Sequence, residues 1–367
     1  MLTLRPLVLA AALSVLALGA APAQETRARA GVRYAFEVGK TQRQACTWRL
    51  VQTQDFSGLI PPQTTTVELV YGVDEKVTAV APDGAATIEA TITAIRGQVA
   101  MGMMMGEMAY DSATDDAGSP LRFMRHLVGK TYTFTITPAG AVTSVTGGDA
   151  IRAALIVSAK ADGKPADDKP APGGRRRRGG GMPDAGGMAQ TFATQLSVVF
   201  TDASIKSALE VTRNVLPEAA DAAEGATWTR TYAEVLPRIG TMRFTSNQVH
   251  RGSSDGVVRL TGRSTGEVEL VRDEGKGEAG EDAMAGMARE MQRQMAEQME
   301  VKRKQVTHAV QFDPAAGALR ESEVKHTIDM EGPIPPMIAA MMGELPPDAK
   351  SQQKIELVLR VARAEAK

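Results

Sequence analysis

The chain has 367 residues, with 42 Lys and Arg against 43 Asp and Glu and a formal charge of -1. That balance excludes the strongly basic footprint of a nucleic-acid-binding domain. Apolar residues make up 43% and aromatic ones only 4%, so a core has to be built from aliphatic side chains and the 19 methionines; the single cysteine, Cys46, excludes a disulfide within the chain.

At the N-terminus, Arg5 precedes an apolar run from Leu7 to Leu18 and the small-residue site Ala21-Pro22-Ala23. This is the pattern of a secretory signal peptide over residues 1–23, cleaved before Gln24. Residue 24 is not cysteine, so no lipid anchor is expected. The mature chain is expected to be periplasmic or secreted, with no membrane span after cleavage. Its length suits two domains or one duplicated domain.

Period-two alternation then recurs: Tyr34, Phe36, Val38; Cys46, Trp48, Leu50; Val67, Leu69, Tyr71, Val73; Ile88, Ala90, Ile92; Tyr132, Phe134, Ile136. It returns with Met242 and Phe244, with Val258 and Leu260, with Val306, His308, Val310 and Phe312, and with Ile355, Leu357, Leu359 and Val361. Such alternation predicts half-buried antiparallel strands. Cys46, on one such face, reads as a small buried hydrophobe.

The turns between strands suggest a module used twice. Asp83-Gly84 and Pro138-Ala139-Gly140 stand in the first half, Asp255-Gly256 and the Asp313 to Gly317 turn in the second; the glycine spacings are 56 and 61 residues. On this basis residues 24–160 form a first β-rich module and 224–367 a second. Residues 161–189, rich in Lys, Asp, Pro and Gly around Arg175 to Arg178, read as a disordered linker, since they hold too few apolar side chains to offset the entropy of ordering. A helical connection is expected over 190–223: Phe192, Leu196, Val199 and Phe200 share a helical face, and Ser204 is read as the cap of a second helix.

Tyr110-Asp111-Ser112, Leu127-Val128-Gly129-Lys130, the Pro-Ala-Gly hairpin, the helix ending at Leu216-Pro217 and Gly225-Ala226-Thr227-Trp228 together resemble an uncharacterised family of exported bacterial proteins, known only as a domain of unknown function. The resemblance covers most of the mature chain outside the linker and the methionine-rich stretches. It implies export and a bacterial source, and no activity, cofactor or catalytic residue.

Catalytic patterns are weak. Gly262-Arg263-Ser264-Thr265-Gly266 has the form of a hydrolase nucleophile elbow, but Val258 and Leu260 before it and Val268 and Leu270 after it alternate as strands, where an elbow needs a strand turning into a helix. Gly129-Lys130-Thr131 lacks the earlier glycine of a phosphate loop, since Met124 stands there. His126, His250, His308 and His326 show no spacing for a shared metal, and His308 and His326 fall out of register across their hairpin. No cofactor, catalytic residue or metal ligand is assigned.

Methionine is the remaining signal. Thirteen of the 19 fall in three clusters: Met101, Met103, Met104, Met105 and Met108; Met284, Met287, Met291, Met295 and Met299; Met337, Met341 and Met342. Steps of three and four place the second cluster on one face of a predicted helix over 282–304. Three uses are open for this stripe: core packing, for which flexible Met is suited; an adaptable surface for an apolar ligand or partner; and a soft Cu(I) or oxidant-buffering site. The ligand-binding candidates are Met284, Met287, Met291, Met295, Met299, Met103 and Met104.

The expected fold is a β-rich α+β arrangement of two repeated, curved antiparallel sheets of half-barrel kind with connecting helices. The expected role is non-enzymatic binding of a hydrophobic ligand or an envelope protein. The alternatives are a methionine-based Cu(I) or redox buffer, and an enzyme whose site carries no recognised pattern.

Overall fold

The computed structural model describes residues 31–101, 106–162, 185–219, 221–236, 240–271, 298–334, 339, 345–346 and 349–364. The expected signal peptide and most of the expected linker lie outside these residues. Twelve strands form one antiparallel sheet: β1 (Thr41–Asp55), β2 (Gln63–Val80), β3 (Ala86–Met101), β4 (Glu107–Asp111), β5 (Thr131–Ile136), β6 (Val142–Thr146), β7 (Thr227–Leu236), β8 (Gly240–Ser254), β9 (Val257–Val271), β10 (Glu300–Asp313), β11 (Ala318–Pro333) and β12 (Lys350–Arg363). Among the described residues three α-helices accompany them, α1 (Gly148–Asp162), α2 (Ala185–Ser197) and α3 (Asp202–Arg213), with short 3-10 helices at Arg122–Leu127 and Val198–Phe200.

The alternating segments from Cys46 onward form strands whose apolar sets share one inner face; Tyr34, Phe36 and Val38, expected as a strand, lie ahead of β1 outside any strand, with Tyr34 buried and Val38 exposed. The order is β6-β5-β3-β2-β1-β12-β11-β10-β9-β8-β7, with β4 beside β3. Two meanders are thus joined edge to edge through the first and last strands, where Cys46 faces Val361 and Leu50 faces Leu357. The strands make a single continuous sheet rather than two separate ones. Gly84 and Gly256 sit at the β2–β3 and β8–β9 turns, and Gly140 and Gly317 at the β5–β6 and β10–β11 turns.

The helices differ from expectation in three ways. α1 has no counterpart in the sequence reading, and its last residues with the start of α2 take up the ends of the expected linker. α3 is capped by Thr201, whose side chain accepts from the Ser204 amide at 3.0 Å, not by Ser204. Residues 300–304 of the expected methionine helix are the start of β10, while 282–297 lie outside the described residues.

The sheet curls without closing. Bulges bend it between Gly72 and Val73, Arg243 and Thr245, and His250 and Ser253. The α3 helix packs against both edge strands, β6 and β7, and also against β11 and β12, so it fills the seam that the strands leave open. The second half rolls most tightly. In a flat sheet β7 and β11 would be about 19 Å apart, four strand spacings, yet Glu234 of β7 lies 2.9 Å from His326 of β11.

The floor of the roll is sealed by the chain ahead of β1. The Tyr34 amide donates to the Pro138 carbonyl and the Ala35 amide to the Gly317 carbonyl, each at 2.9 Å, so neighbouring residues tie to a hairpin from each meander. Gly140 (φ +92°) and Gly317 (φ +56°) have positive φ, and a Cβ on either would fall 2.1 Å from the Arg213 carbonyl oxygen or 2.3 Å from the Ala35 Cβ. Above the floor lie two apolar clusters: one around Leu69, Ile92, Phe134, Leu155 and Phe312, the other around Val211, Phe244, Val324, Ile328 and Leu357.

Candidate functional site

Three inner-face regions carry chemistry: an ion pair near the floor, a polar group within the rolled half, and a methionine-bordered rim at the opposite end.

Near the floor, Arg213 at the end of α3 donates to Glu75 of β2 at 2.5 Å, with side-chain exposures of 4% and 5%. Burial alone would lower the Arg213 pKa, but the adjacent Glu75 carboxylate reverses the effect and the net shift is upward. Arg213 also lies over the Phe134 ring, 5.4 Å from its centre. A cavity of about 20 Å³ touches Tyr34, Gln44, Glu75 and Arg213, the size of a single water. Cys46 lies close by; burial, with the Glu75 charge adding, pushes its thiol up to about 12. A thiol so protonated is a packing group, as the sequence indicates, and not a nucleophile.

In the rolled half, Glu234, Ser246, Gln248, His308, Ser322 and His326 are all buried. His308 faces Val324 and His326 faces Val306, so the two imidazoles are diagonal neighbours on one face. Tyr232 stacks on His308 with centroids 5.4 Å apart, and Phe244 meets His326 edge-on at 6.0 Å. The Glu234 and His326 side chains approach to 2.9 Å but are out of line for a hydrogen bond, so the contact is electrostatic. Burial, reinforced by His326 and partly opposed by the Val211 backbone, pushes His308 down to about 3, which leaves it neutral at ordinary pH. With exposures of 0% and 2%, the His326 and Glu234 side chains offer a reactant no approach without displacing packed groups. Gln248 lies directly over Gly262, where a Cβ would meet its amide at 2.3 Å; the first glycine of the Gly-x-Ser-x-Gly pattern therefore makes room for a side chain. Ser264 itself is within β9, and its hydroxyl accepts from the Val306 amide at 3.0 Å. Among the described residues no three His, Cys, Asp or Glu side chains are grouped to hold a metal ion.

The rim is the end where β1 finishes and β2 begins. Antiparallel pairing places the ends of β3, β9 and β11 and the starts of β4, β10 and β12 there too. All three methionine clusters fall in chain segments that join these ends. Of the candidates, Met284, Met287, Met291, Met295, Met103 and Met104 lie outside the described residues. Met299 is described, half-buried, with its sulfur 2.7 Å from where a Gly332 Cβ would stand. Met101, Met108 and Met330, also at the rim, are half-buried against the two apolar clusters, as are Val301, which pairs with Met330, Val67, level with Met108 across β3, and Leu50 and Trp48. An opening of about 350 Å³ lies at the β10–β12 end of the rim, with a mainly polar lining of Gln298, Glu300, Glu331, Gly332, Pro333 and Lys350.

Sequence reasoning located the methionines but not Glu75, Arg213 or Glu234. Glu75 follows Val73 in the alternating pattern of β2, and a charge at an inward position was the available signal.

Residues 83–171, spanning β3 to α1 and beyond, match a family described as a family of unknown function (DUF6263). Among curated proteins none matches the chain. Among solved structures, the chain is similar to lipovitellin, in a structure described as showing lipid–protein interactions, with TM-score 0.42 and 10% identity over 90% of this chain and 25% of that one. It spans about a quarter of the length of that protein. An outer membrane channel from Pseudomonas putida F1 is similar at TM-score 0.21 and 8% identity, covering 90% of this chain and 97% of that one. Among the described residues no helix is long and apolar enough to cross a membrane.

Proposed function

We propose that this chain is a non-enzymatic, exported envelope protein that takes up an apolar ligand through the methionine-bordered rim. The observation that carries this reading is that Met101 and Met108 of the first meander and Met299 and Met330 of the second all stand at the rim end of their strands, with the half-buried Trp48, Leu50, Val67 and Val301 beside the same apolar clusters. Flexible thioethers suit a mouth that must adapt to different apolar shapes. The floor is sealed by Tyr34 and Ala35 and the seam is filled by α3, so the rim is the end we assign to uptake. The signal-peptide pattern ending at Ala23 supports export, and with it a periplasmic or secreted protein. The matched order of the four glycine turns supports duplication of one meander as the origin of the sheet.

Mass spectrometry of the protein purified natively from its own envelope tests the reading. A co-purifying lipid or other apolar compound is expected. Stoichiometric copper with no organic ligand would replace it with the methionine-copper alternative.

A further inference from the structure

On the three central strands, β2, β1 and β12, the inner face is apolar through Leu69, Trp48, Leu50, Val67, Leu357 and Ile355 and then changes character toward the rim. The inward positions nearest the rim are the buried Ser351 and then Gln353 of β12, Gln54 of β1 and Gln63 of β2, and the registers pair Gln353 with Gln54 and Gln54 with Gln63. One step below, Gln52 pairs with Thr65. Parity with the buried Cys46 and Leu357 puts Gln52, Gln54 and Gln353 on the inner face. The result is an arc of carboxamides directly above Leu50, Val67 and Ile355.

An amide collar over an apolar band is amphipathic in the same order as a ligand with an apolar tail and a polar head. Each carboxamide offers two donors and an acceptor and carries no charge. Gln54 donates to the Ser351 hydroxyl only at 3.4 Å, and Gln63 to the Pro61 carbonyl at 2.8 Å. The Gln52 and Gln353 side-chain amides have no hydrogen-bond partner among the described residues. The ionic groups beside the arc are satisfied: Lys350 bonds Glu331 and Lys302 bonds Glu300, each at 2.5 Å, and Lys304, which shares the inward parity of Val306, is already engaged.

From this arrangement, and resting on the apolar-ligand reading above, we infer the ligand class: an acyl chain ending in an uncharged, hydrogen-bonding head, such as an ester or amide of a fatty acid, in preference to the free carboxylate. The tail lies against Trp48 and Leu50, and the head bonds the arc of Gln52, Gln54 and Gln353. A free carboxylate would give up its hydration for neutral partners alone, which is the less favourable exchange.

The test uses the mature chain and displacement of N-phenylnaphthylamine, an apolar fluorescent probe, by monoolein and by oleate, which share one tail. Monoolein is expected to displace the probe at about tenfold lower concentration, the effect of roughly one net hydrogen bond. Gln54→Leu with Gln353→Leu should retain probe binding and lose that preference. Gln54→Lys, a substitution at a half-buried position, should shift the preference toward oleate in a variant whose thermal melt shows it folded. Equal displacement by the two ligands, or a preference unchanged in both variants, overturns the inference while leaving the apolar-ligand reading intact. Failure of the wild-type chain to bind probe or either ligand overturns both.

Discussion

Arg213, the last residue of α3, holds Glu75 of β2 at 2.5 Å inside the roll, tying the seam-filling helix to the first meander. The pair is among the most buried charges described, so its two halves should be unequal in cost to remove singly and together. Arg213→Leu leaves a carboxylate without its counter-ion and is expected to cost about 3–5 kcal/mol in a denaturant titration. Adding Glu75→Leu should recover much of that loss. Additive losses would mean that the two side chains do not depend on each other.

His308 gives a second handle, this time through pH. Its folded-state pKa is depressed to about 3, mainly by burial, whereas the unfolded chain binds that proton near 6.5. Between these values the unfolded state holds more protons, so the contribution is fully present above about 6.5 and is lost as pH falls toward 3. Wild type minus His308→Phe, a difference that cancels the carboxylates common to both, should therefore decline on acidification by up to about 1.4 kcal/mol per pH unit. Chemical denaturation at pH 7, 6, 5 and 4 measures it; a flat difference would place His308 in contact with solvent.

The floor predicts an asymmetry among turn glycines. Gly140 and Gly256 both have positive φ, but a Cβ on Gly140 collides with the Arg213 carbonyl at 2.1 Å, while a Cβ on Gly256 has nothing within 4 Å. Gly256→Ala should cost about 1 kcal/mol from backbone strain alone. Gly140→Ala should cost clearly more in the same thermal melts, because the Tyr34 to Pro138 tie and the end of α3 must both shift. Equal losses would show that the chain ahead of β1 does not seal the floor.

These contrasts mark what the sequence could and could not convey. Val67, Leu69, Tyr71 and Val73 announce β2 through side-chain period, and the Asp-Gly turns announce the hairpins, because both signals are local. That β1 and β12 pair is not local: Cys46 and Val361 come from opposite ends of the chain, and no turn joins them. One sheet was therefore read as two. The α1 helix was missed because its run from Ala150 to Ala159 is nearly all apolar, with weak helical contrast between faces. At the rim, Gln52 and Gln54 are visible at alternate positions in the sequence, but only register brings Gln353 and Gln63 beside them.

The most direct test of apolar uptake at the rim is spectroscopic, because the chain has only two tryptophans. Trp48 sits half-buried between the two apolar clusters, facing Leu359 and Leu69, whereas Trp228 donates to the Val215 carbonyl at 3.1 Å, away from the rim. In a Trp228→Phe variant, tryptophan emission under tryptophan-selective excitation reports Trp48 alone. Titration with monoolein brominated along its acyl chain should quench that emission saturably, and plain monoolein should reverse it. In the converse Trp48→Phe variant the remaining Trp228 should be little affected. Unquenched Trp48 emission at saturating brominated ligand, with the variant folded by its thermal melt, would contradict uptake between the rim and Trp48.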